Sequence, residues 1–212
     1  MTSPEAELRR VWHRVVGPGH DTPLEALLGR HREPHRRYHT ATHVMWVCRH
    51  VDELVAEQPV ELPVADTPAV LAAALFHDAV YDPTSSTNEA ASAALAARVL
   101  DDIGWAPERC AEAARLVELT ATHHTTAADT AGAVLLDADL AILGADAGAY
   151  AAYLTGVRAE YGHVDDPAWR VGRAAVIDHF LSRDSIYVTP TMRRQREHRA
   201  RANLSAELAA LV

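Results

Sequence analysis

The sequence predicts an all-α fold: one helical bundle of about eight to ten helices, spanning residues 1–212 as a single domain. Three observations carry this. Apolar residues recur at the i, i+3, i+4, i+7 spacing of a helix face through most of the chain. No segment shows the alternation of a half-buried strand. Alanine, the best helix former, supplies 41 of the 212 residues.

The helices follow in order. Glu5 to Val16 sets Leu8, Val11, Trp12 and Val15 on one face, and Gly17-Pro18-Gly19 stops it. Thr22 as N-cap and Pro23 at the first helical position start a short second helix. Residues 41–57 repeat the pattern with Val44, Val47, Cys48, Val51, Leu54 and Val55. Gln58 to Pro68, punctuated by Pro59, Pro63 and Pro68, reads as a loop. Ala69 to Phe76 is apolar at every position, the mark of a buried helix. Tyr81 to Thr87 is a loop. Asn88 to Asp101 is an alanine-rich helix with Leu95, Val99 and Leu100 in its stripe and Asn88 as its N-cap. Pro107 to Thr122 is another, with Ala114, Leu116 and Val117 facing inward. Asp129 to Gly132 reads as loop, and Asp137 to Leu143 as a short helix ended by Gly144. Asp146 to Tyr161 and Asp166 to Ser182 each open on an aspartate suited to the positive helix end. Thr189 to Leu211 is the last and longest, opened by Thr189-Pro190.

The formal charge is −9, and all 20 basic residues are arginine. With no lysine there is no Schiff-base lysine, no P-loop lysine and no lysine general base. The acidic balance argues against strong nucleic-acid binding. Arginines cluster locally at 30–37 and at 193–201, and the second cluster reads as a solvated helix face. Cys48 and Cys110 are too few for a disulfide framework and read as buried thiols of a reducing, cytoplasmic compartment. Met1 to Arg10 has neither an apolar core nor a cleavage-like site. The longest apolar run, Ala69 to Phe76, falls far short of the ~20 residues of a membrane span. No membrane partner is expected, and a homodimer is compatible with the chain.

His77-Asp78 is the strongest chemical signal. The same dipeptide at His20-Asp21 lies between Gly17-Pro18-Gly19 and Thr22-Pro23, where it reads as a turn and cap. His77-Asp78 instead ends the fully apolar helix. An imidazole and a carboxylate arriving there unpaired would cost several kcal/mol, so they need partners or a metal. His39 and His43, in Tyr38-His39-Thr40-Ala41-Thr42-His43, share a helix face if the helix includes both. His43 falls beside Val47 and Val51 and should point inward. Asp137 and Asp139 lie in the apolar stretch Val134 to Leu143, where capping suits Asp137 better than Asp139. His123-His124 ends the Pro107 helix, where a C-terminal cap competes with a ligand role.

Together these residues resemble the HD superfamily of metal-dependent phosphohydrolases, whose pattern is His … His-Asp … Asp on a helical bundle. Arg37-Tyr38-His39-Thr40-Ala41-Thr42-His43, Phe76-His77-Asp78-Ala79-Val80-Tyr81-Asp82-Pro83, Asn88-Glu89-Ala90-Ala91-Ser92-Ala93 and Leu136-Asp137-Ala138-Asp139-Leu140-Ala141-Ile142-Leu143-Gly144 are similar to a bacterial branch of it. The resemblance extends to Val157-Arg158-Ala159-Glu160-Tyr161, Phe180-Leu181-Ser182-Arg183, Ile186-Tyr187 and Ala202-Asn203-Leu204. It implies an HD-domain-like bundle with His43, His77, Asp78 and Asp139 as metal ligands. Asp139 is preferred over Asp137 because Ala138-Asp139-Leu140 looks like the family's string around its last ligand. Imidazole and carboxylate donors suit a divalent transition metal ion, Zn, Mn, Fe, Ni or Co, with positions left for water and substrate and a metal-activated water as nucleophile.

Tyr38-His39-x-x-x-His43 also resembles the string in cyclic-nucleotide phosphodiesterases, which implies His39 as general acid. His123, spaced from Thr120 as Thr-x-x-His, looks like a further ligand position with His124 as its alternative, so that one or two ions are expected per chain. Glu89 is implied near the site, to orient water or to support a ligand histidine. Arg37, Tyr81 and Arg173 are the expected substrate-binding side chains, Arg37 through bidentate contact with phosphate; of the arginines, Arg173 and Arg183 are weaker candidates than Arg37. The implied function is hydrolysis of a small phosphate ester, nucleotides included. Two alternatives accompany it: oxidation of a substrate with O₂ at two irons, and a non-catalytic nucleotide or metal sensor.

Overall fold

The structure, a computed structural model, describes residues 3–57 and 66–211. Most of the expected Gln58 to Pro68 loop lies outside them. The described residues form ten α-helices and one 3₁₀ turn, with no strand. The all-α expectation holds, and so does the number of helices.

The sequence patterns account for the helices. α1 (Pro4–Val16) is capped by Ser3 and buries Leu8, Val11, Trp12 and Val15. α2 (Asp21–His31) starts one residue before the expected Thr22 cap, so Asp21 sits in its first turn, where its carboxylate meets the His13 ring at 2.7 Å. α3 (Ala41–Ala56) is capped by the Thr40 hydroxyl and buries His43 together with Val44, Val47, Cys48 and Val51. α4 (Thr67–Phe76) takes in Pro68, which had been expected in the preceding loop. Its residues from Ala69 to Phe76 are all buried. It is the hub of the bundle, packed on α1, α3, α5 (Asn88–Asp102), α6 (Pro107–Leu119) and α7 (Thr130–Asp139). A 3₁₀ turn, Leu140–Gly144, continues α7. α8 (Ala147–Glu160), α9 (Asp166–Leu181) and α10 (Pro190–Leu211) complete the fold, with α10 packed on the 3₁₀ turn and on α9. One apolar cluster runs from Leu8 to Leu204. Both cysteines are free and buried. No described helix is long and apolar enough to cross a membrane.

Several expectations shift. α7 begins at Thr130, where a loop was expected, because the Asp129 carboxylate caps the Gly132 N–H at 3.0 Å. Gly132 sits inside the helix at a point where a Cβ would collide with Asp129 and Leu119. Asn88 is not an N-cap. Its side chain accepts from the Asp82 N–H (3.0 Å) and donates to the Asp82 carbonyl (2.8 Å), stapling the loop that precedes α5. α6 stops at Leu119, three residues short of the expected Thr122. The arginines of 193–201 are not a uniformly solvated face. Arg193 donates to the Tyr187 carbonyl (2.8 Å), Arg196 to that of Ala141 (3.2 Å) and Arg201 to that of Arg183 (2.7 Å), which locks α10 onto its neighbours.

His31 is buried, and neither ring nitrogen has a hydrogen-bond partner among the described residues. Burial, then the nearby Arg36 guanidinium, push its pKa down to about 3. The unfolded chain binds this proton below about pH 6.5 and the folded chain does not, so stability falls between pH 6.5 and 3. From pH 7.5 to pH 5 the loss attributable to His31 is about 2 kcal/mol. His31→Leu should remove that part of the loss, as read from urea midpoints at the two pH values. An unchanged pH dependence would contradict it.

Candidate metal centre

Three helix ends meet at one place. α3 begins there, whereas α4 and α7 end there, and the three helices contact one another. His43 lies in the first turn of α3, His77-Asp78 directly follows α4, and Asp139 is the last residue of α7. The apolar runs of α4 and α7 are buried up to this point, so the polar residues arrive at the rim of the core rather than on the surface.

The donor atoms converge. The Nε2 atoms of His43 and His77 are 3.0 Å apart. An Asp139 oxygen lies 3.2 Å from the first and 3.5 Å from the second, and an Asp78 oxygen lies 3.3 and 3.1 Å from them. Donors held 2.0–2.2 Å from a common ion sit about 2.8–3.6 Å apart at octahedral or tetrahedral angles, which covers these separations. His43, His77 and Asp139 form a group that could hold a metal ion, with donor atoms all within 4.8 Å of one another. The His77 Nδ1–H donates to the Ala74 carbonyl at 2.8 Å, so its Nε2 presents a lone pair to the centre. Two imidazole nitrogens at 3.0 Å in a buried place need a proton or a cation between them. Burial disfavours charge on both rings, but the Asp139 and Asp78 carboxylates outweigh it and hold both imidazoles above their ordinary range, His77 the more strongly. Burial likewise opposes charge on these carboxylates, and the imidazoles, His77 foremost, hold them well below theirs. The donor set therefore suits a cation.

His123 completes one side. It has φ +48°, a left-handed conformation that non-glycine residues seldom adopt and histidine tolerates better than most. Its N–H closes the end of α6 on the Leu119 carbonyl (2.9 Å), and its ring Nε2 meets the second Asp139 oxygen at 2.9 Å. The capping contact is present, and the ring faces Asp139 as well. Asp139 thus turns one oxygen to His43 and His77 and the other to His123. Arg183 donates to the His123 carbonyl (2.7 Å) and the Thr122 carbonyl (3.0 Å), bracing this turn rather than reaching for an anion. His124 is exposed.

Asp137 has a different task. It is buried and accepts from the N–H groups of Val188 (2.8 Å) and Thr189 (2.7 Å) and from the Thr189 hydroxyl (2.6 Å), which anchors the start of α10. Burial pushes its pKa up to about 6 in spite of these donors.

His39 lies outside α3, just before its Thr40 cap, so it does not share a helix face with His43. A residue 121 positions away sets its orientation. One oxygen of the buried Glu160, at the end of α8, accepts from the N–H groups of Arg37 (2.6 Å), Tyr38 (2.8 Å) and His39 (3.0 Å). The other accepts from the His39 ring Nδ1 (2.6 Å) and the Tyr81 hydroxyl (2.9 Å). Burial would raise the Glu160 carboxyl, but the hydrogen bond and charge of His39 and the backbone N–H groups hold it down to about 2. Nothing local in the sequence marks this residue. Its only signal was membership of the string around Val157 to Tyr161.

The cluster opens into a cavity of about 1040 Å³, lined by His39, His43, His77, Asp78, His123 and Asp139 and also by Tyr81, Glu89 and Arg173. Glu89 reaches it from the first turn of α5, and its carboxylate has no hydrogen-bond or ion-pair partner among the described residues. The Tyr81 hydroxyl is taken by Glu160, and its ring packs 4.4 Å from that of His39. Arg173 is buried and forked onto Glu207 (2.7 and 3.0 Å). Arg37 is exposed, away from the lining. Its guanidinium donates to the carbonyls of Pro34 (2.6 Å) and Arg36 (2.8 Å). Its neighbour Arg36 is buried, donating to the carbonyls of Asp78 (2.8 Å) and His39 (3.0 Å) and so tying the turn before α3 to the one after α4. No protein-family model, curated protein or solved structure matches the chain.

Proposed function

We propose that the chain is a metal-dependent phosphohydrolase of the HD superfamily, cleaving a small phosphate ester. The observation that carries this reading is the convergence of His43, His77, Asp78 and Asp139 at the floor of a cavity that His39 also faces. One or two divalent transition metal ions, Zn, Mn, Fe, Ni or Co, suit these donors. Such an ion, when bound, acidifies its water and offsets charge developing on phosphoryl oxygens. His39 has its Nδ1 tied to Glu160, so Nε2 is the nitrogen left to give a proton to the departing alcohol. Glu160 orients that ring, and Tyr81 supports it by donating to the same carboxylate. Glu89, with an uncommitted carboxylate in the cavity, can orient water.

Metal analysis followed by a phosphoester panel on one preparation tests the proposal. The expected result is about one or two transition-metal ions per chain and release of phosphate that a chelator abolishes. Metal-free protein with unchanged activity would refute it. The split of Asp139 between the His43–His77 pair and His123 suits two ions and keeps a second reading open: oxidation of a substrate with O₂ at two irons. Iron-specific content with O₂ consumption, and no phosphate release, would select that one.

A further inference from the structure

The cavity is far larger than a phosphoryl group needs, at about 1040 Å³ against the roughly 300–1,000 Å³ of ordinary ligand sites. Its floor is the polar cluster. A further part of its wall comes from α8, α9 and the segment between them, with Val157, Tyr161, Val164, Trp169, Val176 and Phe180. Val176 is 45 % exposed, one of three large apolar side chains so open to solvent among the described residues. Along α9 the lining positions Ala168, Gly172 and Ala175 are small, which leaves width for a bulky group.

Fixed positive charge is scarce. Among the described residues the one arginine in the lining is Arg173, and its charge is paired with Glu207, to which its Nε and Nη2 donate. Arg36 spends its donors on backbone carbonyls and the Glu33 carboxylate, Arg183 on backbone carbonyls and the His179 ring, and Arg37 lies outside the lining. Glu89 adds a free carboxylate. One phosphoryl group can be met at the floor by the metal and His39. A second or third would lie against Trp169, Val176, the neutral Ser85 and Asn88 and the carboxylate of Glu89, and the guanidinium nearest that wall, Arg158 over the Trp169 ring, is already paired with Asp166.

We infer, on the basis of the phosphohydrolase reading above, that the substrate is a phosphomonoester whose alcohol part is large, flat and apolar, and that nucleoside polyphosphates are excluded. The phosphate sits on the floor, and the flat group packs against Trp169, Tyr161 and Val176.

Binding without turnover tests this. The 212-residue chain loaded with Mn²⁺ is titrated calorimetrically, at matched free Mn²⁺, with methylphosphonate, (1-naphthyl)methylphosphonate and a methylene-bridged ATP analogue. The naphthyl ligand should bind about ten-fold or more tighter than methylphosphonate, and the ATP analogue more weakly than the naphthyl ligand. Trp169→Ala should erase most of the naphthyl advantage and leave methylphosphonate unchanged. Equal affinity for the two phosphonates, tighter binding of the ATP analogue, or no binding of any of the three overturns the inference. Turnover of 1-naphthyl phosphate and ATP on the same preparation separates the two readings. The expected affinity ranking with neither ester cleaved sinks the hydrolase and keeps the ligand class. Faster cleavage of ATP than of naphthyl phosphate keeps the hydrolase and sinks the ligand class.

Discussion

Asp139→Ala is expected to strip the metal and lower phosphoester cleavage by about 10³-fold or more. Asp137→Ala, two positions earlier on the same helix, is expected to keep the metal and weaken the fold. Asp139 touches His43, His77 and His123 and is the carboxylate that connects the two sides of the cluster. Without it, His43 and His77 keep one carboxylate, Asp78, and lose one of the two negative charges that balance a cation. Asp137 touches none of these groups. Its carboxylate satisfies three donors at the start of α10. Leaving those buried groups unpaired should cost about 3 kcal/mol or more, a melting temperature lower by roughly 6–12 °C. Elemental analysis and thermal unfolding of both variants make the comparison. Metal retained in Asp139→Ala, or lost in a folded Asp137→Ala, would contradict the assignment.

That pair also marks how far the sequence can be read. Both aspartates sit in one apolar stretch, and periodicity puts both near a core. The choice between them depends on what faces each one: His43 and His77 from α3 and α4, or Val188 and Thr189 from the far end of the chain. Local pattern served best where the signal is itself local. The continuous apolar run of α4, the proline and glycine stops, and the aspartate caps of α8 and α9 placed those helices within about a turn. It failed where a side chain bonds across the fold. The arginines of α10 look solvated by composition, yet reach carbonyls of the 3₁₀ turn and of the segment after α9. Asn88 has the position and chemistry of a cap, but Asp82, six residues back, offers it two partners at once. His39 and His43 have helix-face spacing, but the Thr40 cap starts the helix between them.

Glu160→Gln is the second large effect expected, a loss of about 10²-fold in kcat with metal content unchanged. The carboxylate accepts five hydrogen bonds, three from consecutive backbone N–H groups and one each from His39 Nδ1 and the Tyr81 hydroxyl. An amide has one accepting oxygen. If that oxygen stays on the backbone, where three N–H groups demand it, the NH₂ faces His39 Nδ1. The ring must then accept at Nδ1, and the proton-bearing form lacks both its anchor and its counter-charge. A purely structural role would slow all esters alike. A positioning role acts through proton donation, so the loss should be large for a poorly leaving aliphatic alcohol and small for 4-nitrophenyl phosphate, whose leaving group needs little help. It should also be non-additive: with His39→Ala in place, Glu160→Gln should cost almost nothing more. Tyr81→Phe, which removes one donor and leaves the carboxylate, should fall near wild type on both substrates. Equal losses on the two leaving groups, with additivity to His39→Ala, would make Glu160 a brace of the 37–39 turn and leave His39 without an orienting partner.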